Sequence, residues 1–136
     1  NKGYKDLPAW IEEGSTEFSS IDFIKNNYDL SKVSKTRLIP LTIYANYSHH
    51  LNNIALIVSR GDQEKAKEWI HSFRTYPDDR TSYFRSSLKN AGFDDGDVDY
   101  LINTEDPRSA KVSSMCKKYY ERFDLITPQQ HSLLRQ

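Results

Sequence analysis

The dipeptide Gly61-Asp62 stands between two stretches whose apolar residues recur at helical spacing. Upstream, at about 100° per residue, Ile43, Tyr44, Tyr47, Leu51, Ile54 and Val58 fall on one broad face. Leu56 and Ile57 widen that apolar surface, which predicts a central helix touched on more than one side. Downstream, Ala66, Trp69, Ile70 and Phe73 form a stripe. Glycine permits the left-handed backbone that closes a helix, and aspartate accepts a hydrogen bond from the first turn of the next. Residues 41–60 and 62–74 are therefore expected to form a central antiparallel hairpin. Its turn leaves almost no slack, so the two apolar faces must meet, with Trp69 and Phe73 toward Ile54 and Leu51.

The rest of the chain is punctuated in the same helical idiom. Pro8 can open a short helix that stops at Gly14. Ser19 followed by Asp22 resembles a capping box for a second short helix to about Tyr28. Ser31 can cap a turn through Val33 and Leu38, and Pro40 ends or kinks that segment. Asp78 or Asp79 caps a helix with Tyr83, Phe84, Leu88 and Ala91 on its face. Gly92 stops it, and Phe93 follows for the hydrophobic contact typical of such a stop. Residues 95–103 present Val98, Leu101 and Ile102. Asp106-Pro107 opens a helix over 107–124 with Val112, Met115, Cys116, Tyr119 and Phe123 in line, and Thr127-Pro128 opens a last one. No alternating strand pattern of useful length occurs. The expected fold is all-α, a single compact bundle of about six to eight helices, with residues 1–136 as one domain. The chain starts without an initiator Met, which suggests a fragment or subunit of something larger. The nine Tyr, six Phe and two Trp supply core volume that the modest 37% hydrophobic content would not. Many tyrosines are expected to be half-buried.

Within residues 51–73, Gly61-Asp62, Glu64-Lys65-Ala66 and Trp69 resemble one hairpin of an α-solenoid repeat of the tetratricopeptide type. In that family a helix ends at glycine, a tight turn follows, and a small alanine lets the next helix pack closely. The resemblance covers under a fifth of the chain. Repeat architectures need about three units, and no second copy follows at a fixed period. The hairpin is therefore read as an ordinary antiparallel helix pair.

Charge and chemistry narrow the function classes. Nineteen basic and nineteen acidic residues balance to zero, which argues against a chain held on nucleic acid or an anionic membrane by bulk charge. No apolar run approaches the roughly 18 residues that read as a membrane span, so no membrane partner is expected. A lone cysteine, Cys116, precludes an intramolecular disulfide and fits an intracellular, reducing compartment, cytoplasmic or nuclear. Asp95, Asp97, Asp99 and Asp106 occupy the first, third, fifth and twelfth positions of a calcium-type loop. Yet Tyr100 stands where the turn needs glycine, and an aspartate stands where a glutamate is usual. His49 and His50 are adjacent and point about 100° apart, so they do not chelate one ion together. His50 reads as a core-edge residue and His49 as solvent-facing. Cys116, on an apolar face, reads as a small hydrophobe. No serine elbow, glycine-rich phosphate loop or zinc spacing appears. No metal, cofactor or enzymatic activity is expected.

The best basic feature is the helix 107–124, where Arg108, Lys111, Lys118 and Arg122 fall within one quadrant, accompanied by Tyr119 and Tyr120. Lys117 lies further round. Arg85 with Lys89 forms a second basic edge, and Lys32, Lys35 and Arg37 a third. Each patch is also readable as a solvated helix face whose tyrosines are core. The leading expectation is a non-catalytic protein–protein interaction domain whose contact residues are Arg108, Lys111, Lys118, Tyr119, Tyr120 and Arg122. Tyr and Arg are side chains that dominate interface energetics. The alternative is a nucleic-acid-binding or accessory protein using the same helix, its cations on phosphates and its tyrosines stacked on bases. A third possibility is an enzyme assembled only in the fold, which needs a pocket joining His50 or His71 to a carboxylate. The hairpin underlies all three readings. If it forms as expected, Trp69→Ala should cost about 3–5 kcal/mol in thermal unfolding, while the surface control Lys65→Ala melts with the parent. Equal melting temperatures for the two variants would place Trp69 outside the core.

Overall fold

The computed structural model describes residues 7–27 and 45–125. Among these it contains six helices and no strand: α1 (Ala9–Asn27), α2 (Ala45–Val58), α3 (Gln63–Thr75), α4 (Arg80–Ala91), α5 (Asp95–Asn103) and α6 (Ser109–Arg122). The expected features at Ser31, Pro40 and Thr127-Pro128, and the expected start of the central helix at residues 41–44, lie outside the described residues.

Helix α2 is central. Leu51 and the run Ile54, Ala55, Leu56, Ile57 are all buried, so α2 has no solvent face there. Helices α1, α3, α4 and α6 pack around it. The hairpin with α3 forms as the sequence predicts, but its turn is built differently. The Gly61 amide donates to the Leu56 carbonyl at 2.8 Å and the Arg60 amide to the Ile57 carbonyl at 3.2 Å. This bonding pattern puts Arg60, at φ 52°, in the left-handed closing position expected of Gly61, which follows at φ 86°. A non-glycine residue there is strained. The Arg60 side chain offsets the strain with three contacts. Its guanidinium donates to the carbonyls of Ile57 at 3.1 Å and Ala91 at 2.6 Å. It also lies 3.7 Å from the centroid of the Phe123 ring. Asp62 caps α3 as expected, accepting from the Lys65 amide at 3.1 Å.

At the N-terminal end the structure corrects the sequence reading. Gly14 does not stop a helix and Ser19 does not start one, because α1 runs through both. A Cβ on Gly14 would sit 2.9 Å from the Tyr47 carbonyl oxygen, so the glycine is there to let α1 approach α2. Ser19 faces α3, where its hydroxyl accepts from Arg74 at 2.7 Å. The first turn of α1 is tied to the far end of the chain. The Ala9 amide donates to Glu105 Oε2 at 3.0 Å, and the fully buried Trp10 donates through Nε1 to the Leu101 carbonyl at 2.9 Å.

Helix α6 also begins later than Asp106-Pro107 suggests. Arg108 is the N-cap of α6, without a side-chain cap bond, and its amide donates to the Tyr100 hydroxyl at 3.0 Å. Asp106 instead accepts from the Tyr47 hydroxyl at 2.7 Å. Tertiary partners took both groups that the local pattern assigned to capping. By contrast α4 follows its sequence signals: Asp79 caps it, and Gly92, at φ 104°, closes it with the Phe93 amide donating to the Leu88 carbonyl at 3.0 Å.

Trp69, Phe73 and Phe84 form an aromatic trio with ring centroids 5.0–5.3 Å apart. They share one buried cluster with Leu51 and Ile54, so Trp69 is core, held by a ring from α4 as well as one from its own helix. The tyrosines divide. Tyr47, Tyr83 and Tyr100 are half-buried, as expected, whereas Tyr119 and Tyr120 are buried.

The close approach at Gly14 yields a sharp contrast. Gly14→Ala should lower stability by about 1–3 kcal/mol, because the methyl group has only backbone to displace. Gly96, inside α5, has nothing within 4 Å of its would-be Cβ. Gly96→Ala should therefore hold or raise stability, by up to about 1 kcal/mol. Urea midpoints of the two variants check this.

Candidate functional site

The acidic stretch meets two of the basic helix edges. Asp95 and Asp99 are four residues apart on α5, so they share a face. Arg85 and Lys89 are four apart on α4. The tight turn at Gly92 brings these pairs into antiparallel register. Lys89 meets Asp95 at 3.3 Å and Arg85 meets Asp99 at 2.6 Å. On the other side of α5, Asp94 and Asp97 meet Lys118 and Arg122, again four apart, on α6. Lys118 Nζ lies 3.1 Å from Asp94 and 2.5 Å from Asp97. Arg122 grips both oxygens of Asp94, at 2.9 and 3.2 Å. Such two-pronged contacts fix geometry as well as charge.

Tyr119 anchors this lattice from below. Its hydroxyl accepts from the Asp94 amide at 2.8 Å and donates to Asp97 Oδ2 at 2.5 Å. Its ring lies 4.2 Å from Phe93, centroid to centroid. Burial, and next the bond to Asp97, push its pKa up to about 12. Hydrogen bonds from Arg122 and then Lys118 hold the Asp94 carboxyl at about 2. The bond to Asp97 chiefly raises the Lys118 ammonium.

The six residues expected to contact a partner thus separate into three kinds. Tyr119 and Tyr120 are buried; the Tyr120 hydroxyl donates to Asn53 Oδ1 at 3.3 Å. Lys118 and Arg122 are exposed but already matched with carboxylates. Arg108 and Lys111 are exposed at the start of α6, with Lys111 Nζ 4.1 Å from the centroid of the Tyr100 ring. The burial of Tyr120 had a signal in the sequence, since it lies four residues beyond Cys116 and eight beyond Val112 on one helical face. The second basic edge, Arg85 with Lys89, converges with the first on α5, from the opposite side. Lys32, Lys35 and Arg37 lie outside the described residues. Two structural residues went unnoticed in the sequence: Arg60, and Arg80, which meets Glu12 of α1 at 2.6 Å.

The other candidate chemistries have definite placements. Asp95, Asp97 and Asp99 lie on a helix rather than a loop, each beside a cation, which is not a calcium-loop arrangement. No group of three His, Cys, Asp or Glu able to hold a metal occurs among the described residues. His49 is exposed and His50 buried, as the sequence suggests, and His50 Nε2 lies 3.2 Å from Ser109 Oγ. His71 is exposed and His131 lies outside the described residues. Cys116 is buried, and burial pushes its thiol up to about 12, so it is a poor nucleophile. No helix among the described residues is long and apolar enough to cross a membrane.

The Asp94 pairing has a pH signature. Its carboxyl titrates near 3.8 when free and near 2 in the fold. Between those values the unfolded chain takes up a proton that the folded chain refuses. The stabilisation is therefore complete above about pH 4 and lost as pH falls toward 2. Asp94→Asn should lower the urea midpoint at pH 7 and flatten its fall between pH 4 and 2. A variant identical to the parent at both ends would show the pairing to be without consequence for stability.

No family model, no curated protein and no solved structure matches this chain, so its functional reading rests on the geometry above.

Proposed function

We propose that this chain is a non-catalytic helical domain that binds another protein. One observation carries the reading: on α4, α5 and α6 the cations Arg85, Lys89, Lys118 and Arg122 are each paired with a carboxylate, so the strip they make presents both signs. A polyphosphate laid along that strip would meet Asp94, Asp95, Asp97 and Asp99 as well as the cations, and like-charge contacts disfavour it. A protein surface can answer both signs, and such complementarity sets orientation and partner choice more than raw affinity. Arg108 and Lys111, exposed at the edge of the strip, supply its cationic end. The lone cysteine supports an intracellular, reducing setting.

The rival reading, nucleic-acid binding, draws on Arg108, Lys111 and the exposed Lys117, and would require Lys118 and Arg122 to exchange carboxylates for phosphates.

Cross-linking of the purified chain in an extract of its source cells, read by mass spectrometry, tests the proposal. Cross-links to one protein are expected through α5 and α6. Arg108→Glu with Lys111→Glu should weaken capture of that protein by about tenfold, an interface-scale loss. Single- and double-stranded oligonucleotides should not bind at low salt. A chain that stays monomeric and captures nothing would sink the reading. Oligonucleotide binding with a salt slope of about −0.7 to −0.9 per phosphate contact would transfer it to the rival.

A further inference from the structure

His50 joins two helices at a place that disfavours added positive charge. Its side chain points from α2 into the junction with α6 and is 4% exposed. Its Nε2 meets the hydroxyl of Ser109, the first residue of α6, at 3.2 Å. The first turn of a helix presents unpaired amides and the positive end of the helix dipole, and this one has no side-chain cap to neutralise it. Arg108 immediately precedes it. On its own helix the ring has His49 beside it, 6.2 Å between centroids.

Of the acids on the surrounding elements, Asp106, Glu105 and Glu12 are engaged elsewhere. Asp106 accepts from Tyr47 and Glu105 from the Ala9 amide. On α1, Glu12 pairs with Arg80 of α4, and the buried Glu17 has no partner for its Oε1. Arg74 of α3 donates to Ser19, and Arg85 of α4 pairs with Asp99. Among the described residues no carboxylate is bonded to the His50 ring, so an imidazolium there would gain no counter-ion.

We propose that His50 is a pH-sensitive latch, which as a neutral ring holds the start of α6 against α2 and when protonated lets that end of α6 come away. The proton is the ligand. In the opened state the ring is hydrated and titrates normally, near 6.5. In the closed state burial, with His49 secondarily, holds it lower. The closed form is therefore favoured fully above about pH 6.5. As pH falls below that value, the opening constant rises by up to about tenfold per unit until the closed ring itself titrates. Opening would uncover Val112, Met115 and Cys116, the apolar side of α6. Mild acidification would thus present a hydrophobic surface that neutral pH conceals.

Two measurements test the latch. In the intact chain, the NMR titration of the His50 ring should give a pKa below 6.5. Hydrogen exchange at the Val112 amide, which bonds the Arg108 carbonyl, should show opening increase several-fold from pH 7.5 to 5.5 after correction for intrinsic exchange. That increase should vanish in His50→Gln and persist in His49→Gln, His71→Gln and Glu17→Gln. A His50 ring that titrates at or above 6.5 would overturn the proposal. So would an increase that survives His50→Gln. Should His50→Gln fail to fold, the ring titration of the parent chain decides alone.

Discussion

Burial of α2 on all sides from Ile54 to Ile57 is the constraint from which the rest of this structure follows. From Ile54 to Ile57 successive residues point in different directions, yet all four are buried. A helix in that condition is stable only if other elements cover each side, since every exposed apolar face would forfeit its share of the hydrophobic free energy. Helix α3 covers one side because the four residues between Val58 and Gln63 leave it no alternative. Helix α1 covers another and comes close enough for Gly14 to touch the Tyr47 backbone. Helices α4 and α6 complete the enclosure. The bundle is then closed by polar contacts between distant parts of the chain: Trp10 to Leu101, Ala9 to Glu105, Tyr47 to Asp106.

The charge lattice belongs to a different order of energies. Individual exposed ion pairs contribute about 0–1 kcal/mol, so Lys89 with Asp95 is no pillar of the fold. Asp94 and Asp97 are more firmly held, because a bidentate arginine and a buried tyrosine hydroxyl fix their geometry. The lattice orients the short helix α5, which buries only a narrow face of Val98, Leu101 and Ile102.

The hairpin and the closing turns were legible because their causes are local. Asp62 and Asp79 cap helices, and Gly92 with Phe93 ends one, through bonds to residues at most five positions away. The candidate site was half legible. The four-residue spacings of Arg85 with Lys89, Asp95 with Asp99 and Lys118 with Arg122 are visible in the sequence. That they would pair with one another, rather than with a partner, depends on the register in which α4, α5 and α6 meet. Tyr119 and Tyr120, by contrast, were legible as core, since they share the helical face of Val112, Met115 and Cys116.

Helical periodicity and capping act over a few residues, so the helices (apart from the false break at Gly14), most of their ends and the inward-facing aromatic stripes are written in the local sequence. Tertiary structure decided which group each polar side chain would serve. Gly14 reads locally as a stop, and only the nearness of Tyr47 makes it a point of contact. Asp106 reads locally as a cap, and only the placement of α2 gives it to a tyrosine hydroxyl. Arg60 carries no signal of the left-handed turn it occupies, because the groups that hold it there come from Ala91 and Phe123. In each case the local preference is worth about 1 kcal/mol, and a buried partner from another helix outweighs it.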